Sequence, residues 1–427
     1  MPDLVADLEF RGLIHQVTDA GALGRLDAGG LTVYTGFDPS APSLHVGSLM
    51  QLCTLRRLQL GGHRPIALAG GATGMIGDPG GKTGERALLS PDEIEANLAG
   101  IRPQLEQFLD FSPSAGERRA LLLDNRQWLG GLSMLDFLRH VGKHFTVNQM
   151  MAKESVRSRL ERPDQGISYT EFSYMLLQAY DFLRLHDDHG CELQVGGSDQ
   201  WGNITMGVEL VRKLSHAQAY GLTTPLVTKA DGTKFGKTES GTIWLERART
   251  SPYRLYQFLL NCEDAVVGHY LRYFTFLLRD EIEALDCETA EHPARRAAQR
   301  ALAREVCGLV HGDDEVARAE RASAALFGEE IATLDEPTLL EVVDEAPSSA
   351  VDRSAVHAGL PLVDALVAAG LASSKSDARR RITEGGAYVN NRRERDVERS
   401  LGPGDLLHDR YVVLRRGKRD YHLLKVG

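Results

Sequence analysis

The stretch LTVYTGFDPSAPSLHVGS, residues 31–48, constrains what this chain can fold into more than any other. Apolar residues at Leu31 and Val33 read as a short buried strand, which breaks at Gly36, Asp38 and Pro39. Ser43 is placed to cap a helix. Apolar residues then recur from Leu44 through Leu49, Leu52, Leu55 and Leu58 until Gly61-Gly62 end the run. The next run, PIALAGG, is another strand. Such a strand–helix–strand unit predicts a parallel α/β sheet, with His45-Val46-Gly47-Ser48 at the first turn of the crossover helix. Free backbone N–H groups there favour anions, and a glycine lets a flat ring or a phosphate come close. Four residues alone are equally compatible with His45 as a simple helix cap, so the rest of the chain has to decide.

A chain of 427 residues exceeds one comfortable core and predicts two or three domains. No run of about 18 apolar residues is present, and the start MPDLVADLEFRG carries acids where a signal peptide needs basic residues, so a cytoplasmic location is expected. Five cysteines without a CxxC spacing fit reduced thiols better than disulfides or zinc. The net charge of −10 is unevenly spread: residues 374–427 hold 14 Lys+Arg against 8 Asp+Glu. A basic end on an acidic body points to a local contact with a polyanion.

The second strand runs into GGATGMIGDPGGKTGER, residues 70–86, which fails the GxxxxGK[ST] phosphate-loop test because Ile76 stands where the first glycine is required. What remains is a glycine-rich loop leaving the carboxyl end of a strand, with Asp78, Lys82 and Arg86 on it. Residues 90–160 read as mostly helical with a strand at ALLLDN, and Arg157, Arg159 and Arg162 as a solvated helix face in preference to an RNA contact. Ser168 and Glu171 form an S-x-x-E capping box, so a helix is expected from Tyr169. Its apolar stripe leaves Tyr174, Gln178 and Asp181 at i, i+4 and i+7 on the opposite face, either the wet side or a wall for a small polar ligand. HDDHGC, residues 186–191, has metal-ligand residue types but sits at a helix end, and no metal site is expected there. CELQVGGSDQWGN reads as a strand leading to Gly197, Asp199 and Gln200. ADGTKFGKTESG has no apolar period and much glycine, so a mobile loop holding Lys229, Lys234 and Lys237 is expected.

At this point the chain resembles the bacterial-type tyrosyl-tRNA synthetases, a class I family. HVGS is similar to the family's HxGH element and KFGKT, residues 234–238, to its lysine-bearing element. YTGFDPSAPSLHVG, GGATGMIGDP, GKHFTVNQMMAKESV, QGISYTEFSYMLLQAYDF, GGSDQWGNITMG and TKADGTKFGKTESG resemble family blocks in order. The resemblance implies a Rossmann-like parallel-sheet catalytic domain at 1–245 and an all-α anticodon-binding domain at 246–328. A linker with room for one short helix, read from the acidic, Pro- and Ser-bearing stretch 329–356, and a small α+β RNA-binding module at 357–427 follow. It also implies tyrosine, ATP with Mg²⁺, and tRNA(Tyr) as substrates, no tightly bound cofactor, a homodimer, and no membrane partner.

Residue by residue, the resemblance assigns Tyr34 and Asp181 to the substrate's phenol and Asp78, Tyr174, Gln178 and Gln200 to the rest of the tyrosine. Gly36, Asp38, Ser40, His45, Gly47, Ser48, Gly197, Asp199 and Lys237 fall to ATP. His45, Lys82, Arg86, Lys234, Lys237 and Thr238 become the groups acting on the phosphates, and Arg212, Lys213, Lys375, Arg379 and Arg380 the tRNA contacts. Ser48 stands where the family usually has a second histidine, and Ser40 where threonine is common. Two other functions stay open on sequence: an RNA-binding protein that has lost catalysis, and a related adenylyl-transferring enzyme or tryptophan-specific synthetase.

Overall fold

The structure, a computed structural model, describes residues 3–79, 88–161, 166–238, 241–327, 329–344, 346–417 and 420–427. It divides into two units, residues 1–250 with 259–310, and residues 251–258 with 311–427.

The first unit is built on a six-stranded sheet. Its strands are β1 (Gln16–Val17), β2 (Thr32–Phe37), β3 (Arg64–Ala69), β4 (Leu121–Asp124), β5 (Cys191–Gly197) and β6 (Tyr220–Thr224), in the order β1-β6-β5-β2-β3-β4. All neighbours are parallel except the edge strand β1, which runs antiparallel to β6. The central strands are apolar runs because helices cover both faces of a parallel sheet. The chain grows outward from β2 through β3 to β4, then returns to the other side of β2 with β5. That reversal makes a switch point beyond the carboxyl ends of β2 and β5, where open α/β sheets hold ligands. Gly36 is the exposed position in an otherwise covered β2, and a Cβ added to it would meet no atom within 4 Å.

The crossover helix spans Leu49–Leu60, five residues later than its apolar period suggests. Residues Val46–Ser48 form a short 3₁₀ turn ahead of it. Ser43 is no cap: its hydroxyl donates to Leu44 O and accepts from Gln104 Nε2 and the Glu246 amide. Tertiary partners have taken the side chain that local spacing assigned to the helix. The helix Tyr169–His189 does begin where expected, with Ser168 Oγ accepting from the Glu171 amide. The Glu171 carboxylate, however, pairs with Arg159 at 2.8 Å, and both side chains are buried. Arg159 therefore faces the interior, in correction of the solvated-face reading, whereas Arg157 is exposed and Arg162 lies outside the described residues. Gly190, in the left-handed region at φ 64°, ends the helix, and His186 Nδ1 lies 2.9 Å from Cys191 O.

The second unit carries a five-stranded sheet. Strands β9 (Ser348–Val351), β11 (Ala387–Val389), β12 (Arg392–Glu394), β14 (Tyr411–Arg416) and β15 (Asp420–Val426) lie in the order β12-β11-β14-β15-β9, and β10 (Leu360–Pro361) pairs separately with β13 (Ser400–Leu401). The stretch 329–356, expected to be a linker with room for one short helix, holds that helix at Glu336–Val342 and also supplies β9 as a parallel edge strand beside β15. Its acidic, Pro- and Ser-bearing composition hid a strand of four residues. Leu362, Leu366, Ala378, Ile382, Val412, Leu414 and Leu424 form the core of this module.

Candidate active site

Beyond β2 and β5 the chain assembles two buried polar groups of residues. Tyr34, on β2 and 1% exposed, sets its ring edge-on to Phe182 at 5.2 Å. Its hydroxyl is buried with no hydrogen-bond partner among the described residues. Burial first, and the nearby Asp181 carboxylate second, push its pKa up, so it stays a neutral donor. Asp181, 2% exposed, accepts from Trp128 Nε1 at 2.7 Å and Asn125 Nδ2 at 2.9 Å. Burial pushes Asp181 up to about 7 against the pull of those two donors. Asn125 Nδ2 also donates to Thr73 Oγ1, which in turn donates to Asp38 at 2.8 Å. Tyr174 donates its hydroxyl to the other Asp38 oxygen at 2.8 Å. Tyr174 and Asp181 are thus interior, and the wet-face reading of their helix fails at both.

The second group lies around Asp78, which accepts from Gln200 Nε2. Asn203 Nδ2 donates to Gln178 Oε1 at 3.0 Å and Gln200 Oε1 at 3.2 Å, so one amide aligns two others. Asp199 is pushed up by burial and by Asp78, and held down by Lys234. Sequence reasoning missed Thr73, Asn125, Trp128 and Asn203. Asn125 carried a faint signal, an amide at the carboxyl end of the expected strand ALLLDN; the other three carried none.

The segments HVGS and KFGKT meet. The lysine segment ends in strand β7 (Lys237–Thr238), which pairs antiparallel with β8 (Gly241–Thr242). Ile243 N donates to Gly236 O at 3.0 Å and Val46 N to Ile243 O at 3.1 Å. Gly236 sits at φ +82°, and a Cβ added there would lie 2.4 Å from Val46 Cγ2. No other residue fits both that dihedral and that approach. On the other side His45 forms a backbone bridge with Trp244, their rings 6.3 Å apart. The His45 imidazole folds over Gly47, where a Cβ would come within 2.7 Å of its Cε1. His45, Lys234 and Lys237 are all exposed. Thr238 Oγ1 donates to Gly241 O at 2.9 Å.

Within the stretch expected as a mobile loop, described residues of the lysine segment contact their neighbours. Phe235 N donates to Val227 O, Thr228 bridges Lys234, and the Phe235 ring is buried against Tyr270 and Phe274. One aromatic anchor leaves no periodic trace in a sequence. Ser40 is exposed beside Asp38, to whose carbonyl its amide donates at 2.8 Å, and Ser48 is half-buried one turn from His45. Gly197 closes β5, and a Cβ there would lie 2.7 Å from Asp199 Oδ1. Lys82 and Arg86 lie outside the described residues.

The residues expected to meet tRNA are on surfaces and carry acidic partners. Arg212 and Lys213 both pair with Glu209, at 2.9 and 3.1 Å. In the C-terminal module Lys375 pairs with Asp364 and Arg380 with Asp377, while Arg379 is exposed on the same helix. No helix among the described residues is long and apolar enough to cross a membrane.

Comparison with known proteins agrees with this geometry. Residues 27–328 match the family described as tRNA synthetases class I (W and Y). Residues 339–424 match the Tyrosine--tRNA ligase SYY-like C-terminal domain. The chain is 55% identical to the tyrosine–tRNA ligase of Roseiflexus castenholzii over 100% of both chains. It is 54% identical to that of Bacillus caldotenax over 99% of both. Among solved structures, a C-terminally truncated mitochondrial tyrosyl-tRNA synthetase from Aspergillus nidulans superposes with a TM-score of 0.68 at 35% identity, covering 77% of this chain and 95% of that one. A parallel sheet with its switch point at the β2/β5 reversal, two contacting signature segments and full-length relatives of one activity lead to one conclusion: the chain belongs to the tyrosine–tRNA ligases of the class I tRNA synthetases.

Proposed function

We propose that the cleft beyond β2 and β5 performs the family's two-step reaction with the following division of labour. Tyrosine enters with its phenol between Tyr34 and Asp181, donating to the carboxylate and accepting from the Tyr34 hydroxyl. The buried, partnerless Tyr34 hydroxyl beside Asp181 is the observation that carries this assignment. Phenylalanine would leave both groups unsatisfied in a buried site, a penalty of which tyrosyl-tRNA synthetases are themselves the standing example. Asp78, Tyr174, Gln178 and Gln200 hold the substrate's ammonium end.

The tyrosine carboxylate attacks the α-phosphorus of ATP, the new O–P bond forms, and the bond to the bridging oxygen breaks to release pyrophosphate. A carboxylate is already a nucleophile, so the step needs alignment and positive charge, not a base. Gly36, Asp38, Ser40, Gly47, Ser48, Gly197 and Asp199 border the space for the nucleotide. His45, Lys234, Lys237 and Thr238 face its phosphates, and Lys82 and Arg86 join them by family resemblance. Mg²⁺ arrives as part of the ATP substrate. The 3′-terminal tRNA hydroxyl then attacks the tyrosyl carbonyl and AMP leaves.

Arg212, Lys213, Lys375, Arg379 and Arg380 serve the tRNA backbone. Homodimerisation is supported by Met134, Leu135, Val147 and Tyr169, all more than half exposed within residues 134–169. The cytoplasm is the compartment where these substrates meet. Tyrosine-dependent ATP–pyrophosphate exchange by the pure protein tests the assignment. Exchange with tyrosine, little with phenylalanine, and loss in Asp181→Ala are expected; an Asp181→Ala protein that keeps both its rate and its preference would overturn it.

A further inference from the structure

The two segments that face the phosphates are joined by a closed circuit of packed elements. The helix Leu49–Leu60 starts directly after Ser48 and carries Arg57, 1% exposed, near its other end. Arg57 donates to Tyr273 O at 3.0 Å and to Thr275 O, and Arg11 donates to Thr275 O at 3.0 Å and Leu277 O at 2.7 Å. These carbonyls lie at and just beyond the end of the helix Asp264–Phe274, where no intrahelical donor reaches them and where cations are favoured. Tyr270 and Phe274, one turn apart on that helix, grip the Phe235 ring at centroid distances of 4.6 and 5.2 Å. The Tyr270 hydroxyl donates to Thr228 O at 2.8 Å, and Thr228 in turn forms a backbone bridge with Lys234. Gly236, the next residue after Phe235, rests on Val46 and completes the circuit.

We infer that Tyr270 is a positioning residue for adenylate formation: its ring and hydroxyl fix the register of the segment carrying Lys234 and Lys237 over the HVGS turn. Tyr270 is 2% exposed, and its ring and hydroxyl both touch that segment or the residue it bridges to. Lys234 and Lys237 flank the gripped Phe235, so a shift of the anchor moves both ammonium groups together. The inference rests on the phosphate role proposed above for Lys234 and Lys237.

The experiment compares Tyr270→Ala, Tyr270→Phe, Lys237→Ala and the double variant Tyr270→Ala/Lys237→Ala. It measures tyrosine affinity by equilibrium dialysis and the single-turnover rate of adenylate formation. Tyr270→Ala is expected to slow adenylate formation by about 10²-fold, the cost of a displacement of roughly 1 Å at a reacting centre, with tyrosine affinity unchanged. Tyr270→Phe keeps the ring and loses one hydrogen bond, so it recovers most of that loss. In the Lys237→Ala background Tyr270→Ala should cost only a fewfold more, because both act through one unit. Full additivity of the two losses, or a parallel fall in tyrosine affinity, overturns the inference. If Lys237→Ala is slow while Tyr270→Ala is not, the positioning role falls and the lysine role stands. If Lys237→Ala alone leaves the rate intact, the lysine role itself falls.

Discussion

The Asn125 side-chain nitrogen donates to Asp181 Oδ2 and, with its other hydrogen, to Thr73 Oγ1, both at 2.9 Å. Since Thr73 donates onward to Asp38, one amide spans the carboxylate assigned to the phenol and the one assigned to the nucleotide. Its carbonyl oxygen is held in turn by the Ala72 amide at 2.8 Å, which fixes the flip of the group.

Asn125→Ala should therefore act on the tyrosine end first. It removes one of two donors that hold Asp181, and the lost charge-assisted bond is worth about 1.5–3 kcal/mol. Tyrosine affinity is expected to fall by about tenfold or more, while ATP affinity changes by less than about threefold. Equilibrium dialysis with each substrate checks this; equal losses for both would place Asn125 as a general support of the cleft.

A pH dependence follows from Asp181. Its folded pKa, pushed up to about 7, lies above the ordinary value of about 3.9, so the free protein binds a proton that the unfolded chain does not. This group's contribution to stability is thus fully present below about pH 4 and is lost as pH rises through about 7. Tyrosine binding runs the other way, because a phenol donates best to an ionised carboxylate. Affinity is expected to weaken as pH falls below about 7, approaching tenfold per unit, and to be flat in Asp181→Asn. A wild-type affinity constant from pH 5.5 to 8.5 would show that the carboxylate is ionised throughout.

The buried pair Arg159–Glu171 joins the helix Glu154–Leu160 to the first turn of the helix that carries Tyr174 and Asp181. Glu171→Gln leaves a guanidinium buried beside a neutral group and is expected to cost about 3–5 kcal/mol. The urea midpoint should fall with its slope unchanged. Replacing both residues by apolar ones of similar volume, as in Arg159→Met/Glu171→Leu, should restore most of the loss. A double variant as unstable as the single one would mean that the pair also supplies packing that apolar side chains cannot reproduce.

What the sequence revealed and what it withheld divide along the range of the interactions. The face formed by Tyr174, Gln178 and Asp181 is a property of one helix, so spacing exposed it, and the early strands announced themselves as apolar runs. Asn125 and Trp128 reach Asp181 from more than fifty positions away, and nothing local distinguishes them from any other amide and indole. Ser43 looked like a cap because its neighbours are right for one, yet Gln104 and Glu246 claimed its hydroxyl. The lysine segment shows the same limit: its glycines gave no sign of the contact that the Phe235 ring makes with Tyr270 and Phe274. Strand β9 escaped because an edge strand of four residues needs only one partner, and that partner lies about seventy residues on.

That strand decides where the C-terminal module can be cut. Removing residues 357–427 would strip β15 from β9 and leave Glu336 without Tyr411, whose hydroxyl it accepts at 2.9 Å. A fragment ending at residue 334 removes the sheet with both of these attachments. The module holds the basic excess of the chain, so its loss should weaken tRNA charging while amino-acid activation stays within about twofold of the full chain. The full chain should lose tRNA affinity steeply with added salt, each lost phosphate contact lowering the log–log slope by about 0.7–0.9, and the fragment should show a shallower line. Exchange and charging rates measured from 50 to 300 mM salt make the comparison. A fragment whose exchange rate drops in step with its charging rate would show the module to be a structural support and not an RNA-binding one.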